Sequence, residues 1–407
     1  LNLSYFISKR ISREQKEGFS SAIHKIAIAS IGVGLGAAII SFLVMLGFQE
    51  KVKDKVYSFS GHLMITKFTM SNSPEEEPMN YHIEIYDNQG KYPFIKRVQA
   101  YAHKPGLVKT EDDEVLGIVV KGVGRNYDVE AFRVNMVEGN FIDFPDSSYA
   151  NQVVISRIIS NKIKAKVGDD IIVHFFQNPP RFRRLRVTGI YETNLSEYFD
   201  GKVIITDIRM IQRLNDWSDS LAGGLEVFVV DPARVDEAGF AIGETMDFDL
   251  NIERISDKFS QVFEWLHLLG RQVNILLGII LCVVCVNMIS IVLILVMERT
   301  QMIGMLKAMG ADNKLIRSIF IFNGINLIYK GLLLGDLIGL GLCSLQYHFS
   351  IIKLNPHDYY MSFVPIAWHW DIILLLNLLT FFVVTFVLLI PTMVIARINP
   401  IKTIRFD

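Results

Sequence analysis

Charge is missing from three stretches of this chain and nearly missing from a fourth, and a folded chain has few ways to place such stretches. No Asp, Glu, Lys or Arg occurs from Ile26 to Phe48, from Val273 to Met297 or from Ile372 to Ile395, and Ile319–Tyr347 carries only Lys330 and Asp336. A run of about 20 apolar residues crosses the roughly 30 Å hydrocarbon core of a bilayer as a helix. One such run would also suit a buried core helix, but four of this length do not. The chain is 51% hydrophobic, close to the roughly 45–50% of soluble domains, so the clustering and not the total points to a membrane.

Lysine and arginine in the short flanks set the orientation. Lys9, Arg10, Arg13, Lys16 and Lys25 precede the first run; Arg299, Lys307, Lys314 and Arg317 separate the second and third; Arg397, Lys402 and Arg405 follow the fourth. Between the third and fourth runs, Gln346 to Asp371 holds only Lys353. This places both termini and the 298–317 segment in the cytoplasm. The expected division is a cytoplasmic amphipathic segment at 1–25, spans at 26–48, 273–297, 318–345 and 372–395, an extracytoplasmic domain at 49–272, a cytoplasmic segment at 298–317, a short outer loop at 346–371 and a cytoplasmic tail at 396–407. The first run is too long for a signal-peptide core and no small-residue cleavage site follows it, so it reads as a retained span.

The region between the first two runs has the pattern of a water-soluble fold. Short alternating or β-branched runs at Leu63–Phe68, Leu116–Val123, Val153–Ile155, Ile171–Phe176, Leu185–Ile190, Val203–Thr206 and Glu226–Val230 predict strands. Helical patterns at Ser156–Lys164, Asp207–Leu214 and Arg234–Met246 lie between them. The fold class is therefore an α-helical membrane protein, four spans arranged 1+3, with a large α+β extracytoplasmic domain in two lobes. Thr69–Asn80, polar, acidic and proline-containing, reads as a mobile loop.

Composition also removes several chemistries. A net charge of −1 gives no basic field for nucleic acid. Cys282, Cys285 and Cys343 are the only cysteines and all sit in apolar runs, so the outer domain has no disulfide. The chain has no G-x-x-x-x-G-K-[ST] loop, H-E-x-x-H pair or G-x-S-x-G elbow. No catalytic residue, metal site or cofactor of its own is expected, and energy must come from a partner.

Four further features carry candidate roles. Gly32 and Gly36 in the first run, and Gly331, Gly335 and Gly339 in the third, are four apart and suit close helix packing. Lys330 and Asp336 are costly inside a membrane; structural pairing and a transport role both suit them, with Asn287 and Asn377 as partners. The hairpin tip Pro179-Pro180-Arg181-Phe182-Arg183-Arg184 is either a solvated turn or a contact element for an acidic soluble partner. Phe259, Phe263 and Leu266 fall on one helical face before the second span; they suit core packing or, with Met45 and Phe48, an exit path for a lipid.

The segment from Glu298 to Ala311 holds Met302, Ile303, Met305, Leu306 and Met309 at helical spacing, with Gly310 placed to end a helix. Such a Met-rich face suits an adaptable protein interface or the membrane surface. The segment closely resembles the E-x-x-x-x-I-G-x-L-K/R-A-M-G-A stretch of the FtsX/MacB-type permeases of ABC transporters. The resemblance continues through Gly47-Phe48-Gln49-Glu50, Ser60-Gly61-His62, Val120-Lys121-Gly122-Val123, Val167-Gly168-Asp169 and Gly189-Ile190-Tyr191-Glu192-Thr193. Arg397-Ile398-Asn399-Pro400 is similar to that family's closing R-x-x-P motif. Within the superfamily these motifs look like the lipoprotein-release permeases LolC and LolE.

The resemblance implies a Gram-negative inner-membrane complex. Two permeases, identical or paralogous, would clasp a central cavity among membrane lipids, with two copies of an ABC ATPase below that bind ATP and Mg. The ATPases would grip the helix that runs from Glu298 and Arg299 through Lys307 to Gly310. Their closure would move a lipoprotein cargo to a periplasmic carrier recruited by the 179–184 hairpin. Two other readings within the superfamily are MacB-like efflux and an FtsX-like signalling subunit that controls a cell-wall hydrolase.

Overall fold

The computed structural model describes residues 19–69, 76–110, 114–146, 148–195, 197–355, 359 and 361–393. The basic residues at 9–16 and 397–405, the Arg397–Pro400 motif and most of the acidic stretch after Thr69 lie outside them. The helices are α1 (Phe19–Ser60), α2 (Glu84–Asp87), α3 (Val129–Phe132), α4 (Arg157–Ile163), α5 (Glu197–Lys202), α6 (Ile208–Leu214), α7 (Val235–Gly243), α8 (Ile255–Lys258), α9 (Ser260–Glu298), α10 (Thr300–Ala308), α11 (Asn313–Phe349), α12 (Trp370–Val387) and α13 (Leu389–Thr392). The chain divides into two compact units, one drawn from Leu1–Glu50, Trp265–Lys353 and Phe363–Asp407, the other from Lys51–Glu264 and Leu354–Ser362.

Among the described residues, four stretches are long and apolar enough to cross a membrane: α1, α9, α11 and the α12–α13 pair. At 1.5 Å per residue, the 42 residues of α1 reach about 63 Å, twice a hydrocarbon core. Nothing breaks the helix after Phe48, so it runs on to Ser60, where Gly61 takes a φ of +73° that favours glycine. α9 has 39 residues and likewise outlasts its apolar run.

Within the helical unit, glycines set the spacing of α1 and α11. A Cβ on Gly331 would lie 2.6 Å from Cβ of Ile31, and one on Gly335 would lie 2.8 Å from Cβ of Leu35. The Gly339 position meets Ile39 in the same way, and Gly32 and Gly36 receive Leu334 and Ile338 in return. The two helices interlock by setting each branched side chain on a bare backbone.

The second unit is built on twelve strands: β1 (Leu63–Lys67), β2 (Met79–Asn80), β3 (Ile95–Lys109), β4 (Val115–Val123), β5 (Met136–Gly139), β6 (Gln152–Ser156), β7 (Asp170–Phe175), β8 (Arg181–Tyr191), β9 (Val203–Asp207), β10 (Leu221–Ala222), β11 (Gly224–Val229) and β12 (Leu250–Arg254). Ten of them follow the order β12-β1-β11-β3-β4-β9-β6-β8-β5, with β7 bridging β3 and β8. The pairings β3–β4–β9–β6–β8–β7–β3 thus close on themselves. β3 belongs to both this closed circuit and the open β12–β1–β11 flank. The sequence suggests two lobes; the structure passes one strand and one buried cluster through both parts.

Both sheet faces are buried, and period-two alternation separates them. Leu63, Ile65, Val98, Ala100, Val153, Ile155 and Ile204 face one cluster with α4, α6 and α7. Met64, Tyr101, Val123, Val154, Val203 and Ile205 face the other, an aromatic cluster with Val56, Phe59, Phe132, Tyr191, Phe199 and Phe263. The last turns of α1 are part of that second core.

Candidate functional site

Three of the motifs quoted above meet at the end of α1. Ser60-Gly61-His62 is the corner itself: Gly61 N–H donates to Tyr57 O and His62 N–H to Val227 O, both at 2.8 Å. From the second motif, Lys121 on β4 crosses the aromatic face and donates to Phe59 O at 2.5 Å. Its neighbour Gly122 admits α6, since a Cβ there would lie 2.8 Å from Cα of Ile208. The third motif surrounds the same helix turn. Tyr191 donates from its hydroxyl to Val203 O at 2.8 Å, and Thr193 O accepts from Nζ of Lys55 at 2.6 Å. Val167-Gly168-Asp169 stands apart, as a turn with Gly168 at φ +100°.

The electrostatics of this corner are those of a dry site. Lys121 and Glu226 are each 1% exposed and pair at 2.6 Å. The other Glu226 oxygen accepts from Gln99 at 2.8 Å, and Nζ of Lys121 lies 4.7 Å from the Phe59 ring centroid. Asp200 accepts from the backbone N–H of Thr193 and Asn194 and from the Thr193 hydroxyl; burial pushes its carboxyl above the usual range. His62 stacks on Tyr57 with centroids 4.3 Å apart. Burial, helped by the charge of Lys96, lowers its imidazole to about 4, so it is neutral near pH 7.

The hairpin of β7 and β8 differs from its sequence reading. Arg181 is not free for a partner: it donates to Leu214 O at 2.7 Å and to Asp216 at 2.8 Å, which ties the tip to the end of α6. Arg184 pairs with Asp170 at 3.0 Å, and Arg183 donates to Phe182 O at 3.0 Å. Pro179 and Pro180 are exposed. The prominent surface groups are Phe182, 61% exposed, and Phe176, 75% exposed. The alternation along Ile171–Phe176 could have identified Phe176 as outward-facing.

Of the residues considered for a lipid path, Phe263 and Leu266 are buried and Phe259 packs on Phe199 with centroids 5.0 Å apart. Phe48 meets Trp265 edge-on at 5.4 Å, and Met45 lies beside Gly270. In this chain Phe259, Phe263 and Leu266 make core-packing contacts, one of the two readings their sequence allows. The helical unit instead opens an apolar groove of about 520 Å³ between α1 and α9, lined by Ile26, Ala29, Val33, Ala37, Ile279 and Val283 among others. The signal for it is the small-residue face Ala29, Ser30, Val33 and Ala37, which turns away from Gly32 and Gly36. The intramembrane polar residues pair across helices: Asn377 donates to Asp336 at 2.8 Å and Asn287 to Ser30 at 2.9 Å. Lys330 is exposed.

α10 follows α9 after a break at Arg299 and ends in a Schellman motif. Ala311 N–H donates to Leu306 O and Gly310 N–H to Lys307 O, with Gly310 at φ +87°. Its apolar residues do not share one face. Ile303 is buried and Met302 and Leu306 pack on the helical core, whereas Met305 and Met309 are 55% and 75% exposed. With Met297, Gln301 and Glu298 also exposed, the outward stripe runs at four-residue spacing from 297 to 309. Arg299 and Lys307 are half-buried at its side.

The MacB-like periplasmic core domain family matches residues 26–245, and the FtsX-like permease C-terminal family matches residues 274–400. The lipoprotein-releasing system transmembrane protein LolE of Haemophilus influenzae is 22% identical over 92% of this chain and 93% of its own length. LolC of the same organism is 23% identical over 100% of this chain and 99% of its own, and LolC of Xylella fastidiosa is 20% identical over 100% and 98%. Among solved structures, the periplasmic region of MacB from Actinobacillus actinomycetemcomitans gives a TM-score of 0.34 at 15% identity, covering 50% of this chain and 92% of that one. Four membrane-length helices, an α+β unit inserted after the first, and a match over both segments make one statement: this chain belongs to the FtsX/MacB-type permease family, with LolC- and LolE-like relatives.

Proposed function

We propose that the chain is the permease subunit of an ABC transporter that extracts lipoproteins from the inner membrane and passes them to a periplasmic carrier. The observation that carries the reading is the apolar groove between α1 and α9, in a chain whose full-length relatives are named for lipoprotein release. A groove of small and branched side chains on membrane-length helices suits acyl chains, and its one hydroxyl, on Ser30, already accepts from Asn287. The chain supplies no ATP or Mg site; two ATPase subunits bind both and dock on the Met297–Met309 stripe. The spans are arranged 1+3, with both termini cytoplasmic and the 49–272 domain periplasmic. A second permease, identical or paralogous, completes the cavity. The hairpin meets the carrier through Phe176 and Phe182, with Arg181 holding the tip in place.

The test is to purify the tagged chain from its native membrane in mild detergent and identify co-purifying proteins by mass spectrometry. An ATPase together with acylated lipoproteins is the expected result. An ATPase with a cell-wall hydrolase and no lipoprotein would replace this reading with FtsX-like signalling. An outer-membrane efflux channel would replace it with MacB-like efflux.

A further inference from the structure

The motif Val120-Lys121-Gly122-Val123 has a structural place but no role in the function above. Its lysine lies in the aromatic core, where a charge is costly unless every donor has a partner. Nζ reaches Phe59 O at 2.5 Å and Glu226 at 2.6 Å, with the faces of Phe59 and Tyr101 on its remaining sides. Phe59 O belongs to the last turn of α1, whose carbonyls have no partner within the helix. Glu226 is held by Gln99, its register partner on β3. One ammonium therefore joins the end of a membrane-length helix to β4 and, through Glu226, to β11. A few residues earlier, Lys55 fastens the same helix to Thr193 O.

We propose that Lys121 is a positioning residue that fixes the end of α1 to the sheet, so that any movement of the helix is delivered to the domain. A buried, charge-assisted bond to the terminal carbonyl resists bending at the Gly61 corner, which apolar packing alone would let slide. The consequence for transport rests on the permease reading; the mechanical claim does not.

The experiment uses the full chain, with Cys282, Cys285 and Cys343 changed to Ser and spin labels at Lys51→Cys and Asn151→Cys, both exposed positions. The background is compared with Lys121→Met/Glu226→Met, which strands no charge. Lys121→Gln/Glu226→Gln is a second variant that keeps a polar core but leaves the side chain too short for Phe59. Pulsed electron resonance is expected to give a narrow label distance in the background chain and a distribution at least twice as broad in both variants. In the reconstituted complex, ATP hydrolysis is retained while lipoprotein release falls at least tenfold. An unchanged distance distribution in a folded variant overturns the proposal, whatever happens to transport. If the background complex releases no lipoprotein, the permease reading fails, and the distance measurement still decides the role of Lys121.

Discussion

Nζ of Lys121 lies 2.5 Å from the carbonyl oxygen of Phe59, two residues 62 positions apart in the chain yet joined in a buried core. The same ammonium pairs with Glu226, so the corner between helix and sheet links four groups in a row: helix carbonyl, ammonium, carboxylate and the Gln99 amide N–H. Removing Lys121 alone strands a buried carboxylate, whereas removing the charged pair strands two neutral groups, the Phe59 carbonyl and the Gln99 amide.

The first prediction follows. Lys121→Met leaves Glu226 buried without its cation, and breaking such a pair costs about 3–5 kcal/mol. Lys121→Met/Glu226→Met orphans the same Phe59 carbonyl but replaces the stranded carboxylate with a stranded Gln99 amide, a neutral group whose lost bond costs about 1–3 kcal/mol. The double variant should therefore melt at a higher temperature than the single one. Thermal unfolding of the purified chain checks the order. Equal melting temperatures would mean that Glu226 is solvated or finds another partner once Lys121 is gone.

His62 gives the second, a pH dependence with a defined sign. Its imidazole is lowered to about 4 when folded against about 6.5 in an unfolded chain. Between those values the unfolded chain binds the extra proton and the folded chain does not. Its contribution is complete above pH 6.5 and is lost as pH falls from there to 4. His62→Gln should remove that part of the slope, leaving a flatter melting curve over this window. Parallel slopes for the two proteins would show that His62 stays uncharged, or charges freely, in both states.

A third concerns the glycine stripe. Gly335→Leu must displace α1, because Leu35 and the Gly32 carbonyl occupy the space its side chain needs. Overpacking of this kind costs about 1–3 kcal/mol. Gly341, on the same helix, has nothing within 4 Å of its Cβ position, so Gly341→Leu is the matched control. The melting temperature should fall for the first and hold for the second. A drop for both would point to a general intolerance of bulk in α11 and away from close packing with α1.

The sequence made the four apolar helices legible, and the seven strands it pointed to all have counterparts, because burial imposes either length or alternation on the residue pattern. β3 left no such mark. Its fifteen residues include Lys96, Arg97, Gln99, His103, Lys104, Pro105 and Gly106, and its place is set by pairing with β11, β4 and β7, not by its own propensity. The site was hidden for a related reason. Lys121 looks like a surface lysine until Phe59 and Glu226 arrive from distant parts of the chain. The groove has only a faint mark in the sequence, because Ala29, Val33 and Ala37 look like any other part of an apolar span, and only the Gly32–Gly36 face meets α11. At α10 the period was right and the face was wrong: which apolar residues point outward depends on the core that receives Ile303.

That distinction supports the last prediction. If the outward stripe binds the ATPase, then charge placed on it should remove the partner without harming the fold. Met305→Glu/Met309→Glu puts two carboxylates on exposed positions, where substitutions change stability by about 0.5 kcal/mol or less. Ile303→Glu puts one carboxylate into the helical core beside Ile316 and Phe320, an unpaired buried charge that costs several kcal/mol. The double variant should keep its melting temperature and lose co-purification of the ATPase at least tenfold. Ile303→Glu should lose both. Full retention of the ATPase by Met305→Glu/Met309→Glu would move the docking site off this stripe, because no apolar interface centred on two methionines survives two carboxylates in their place.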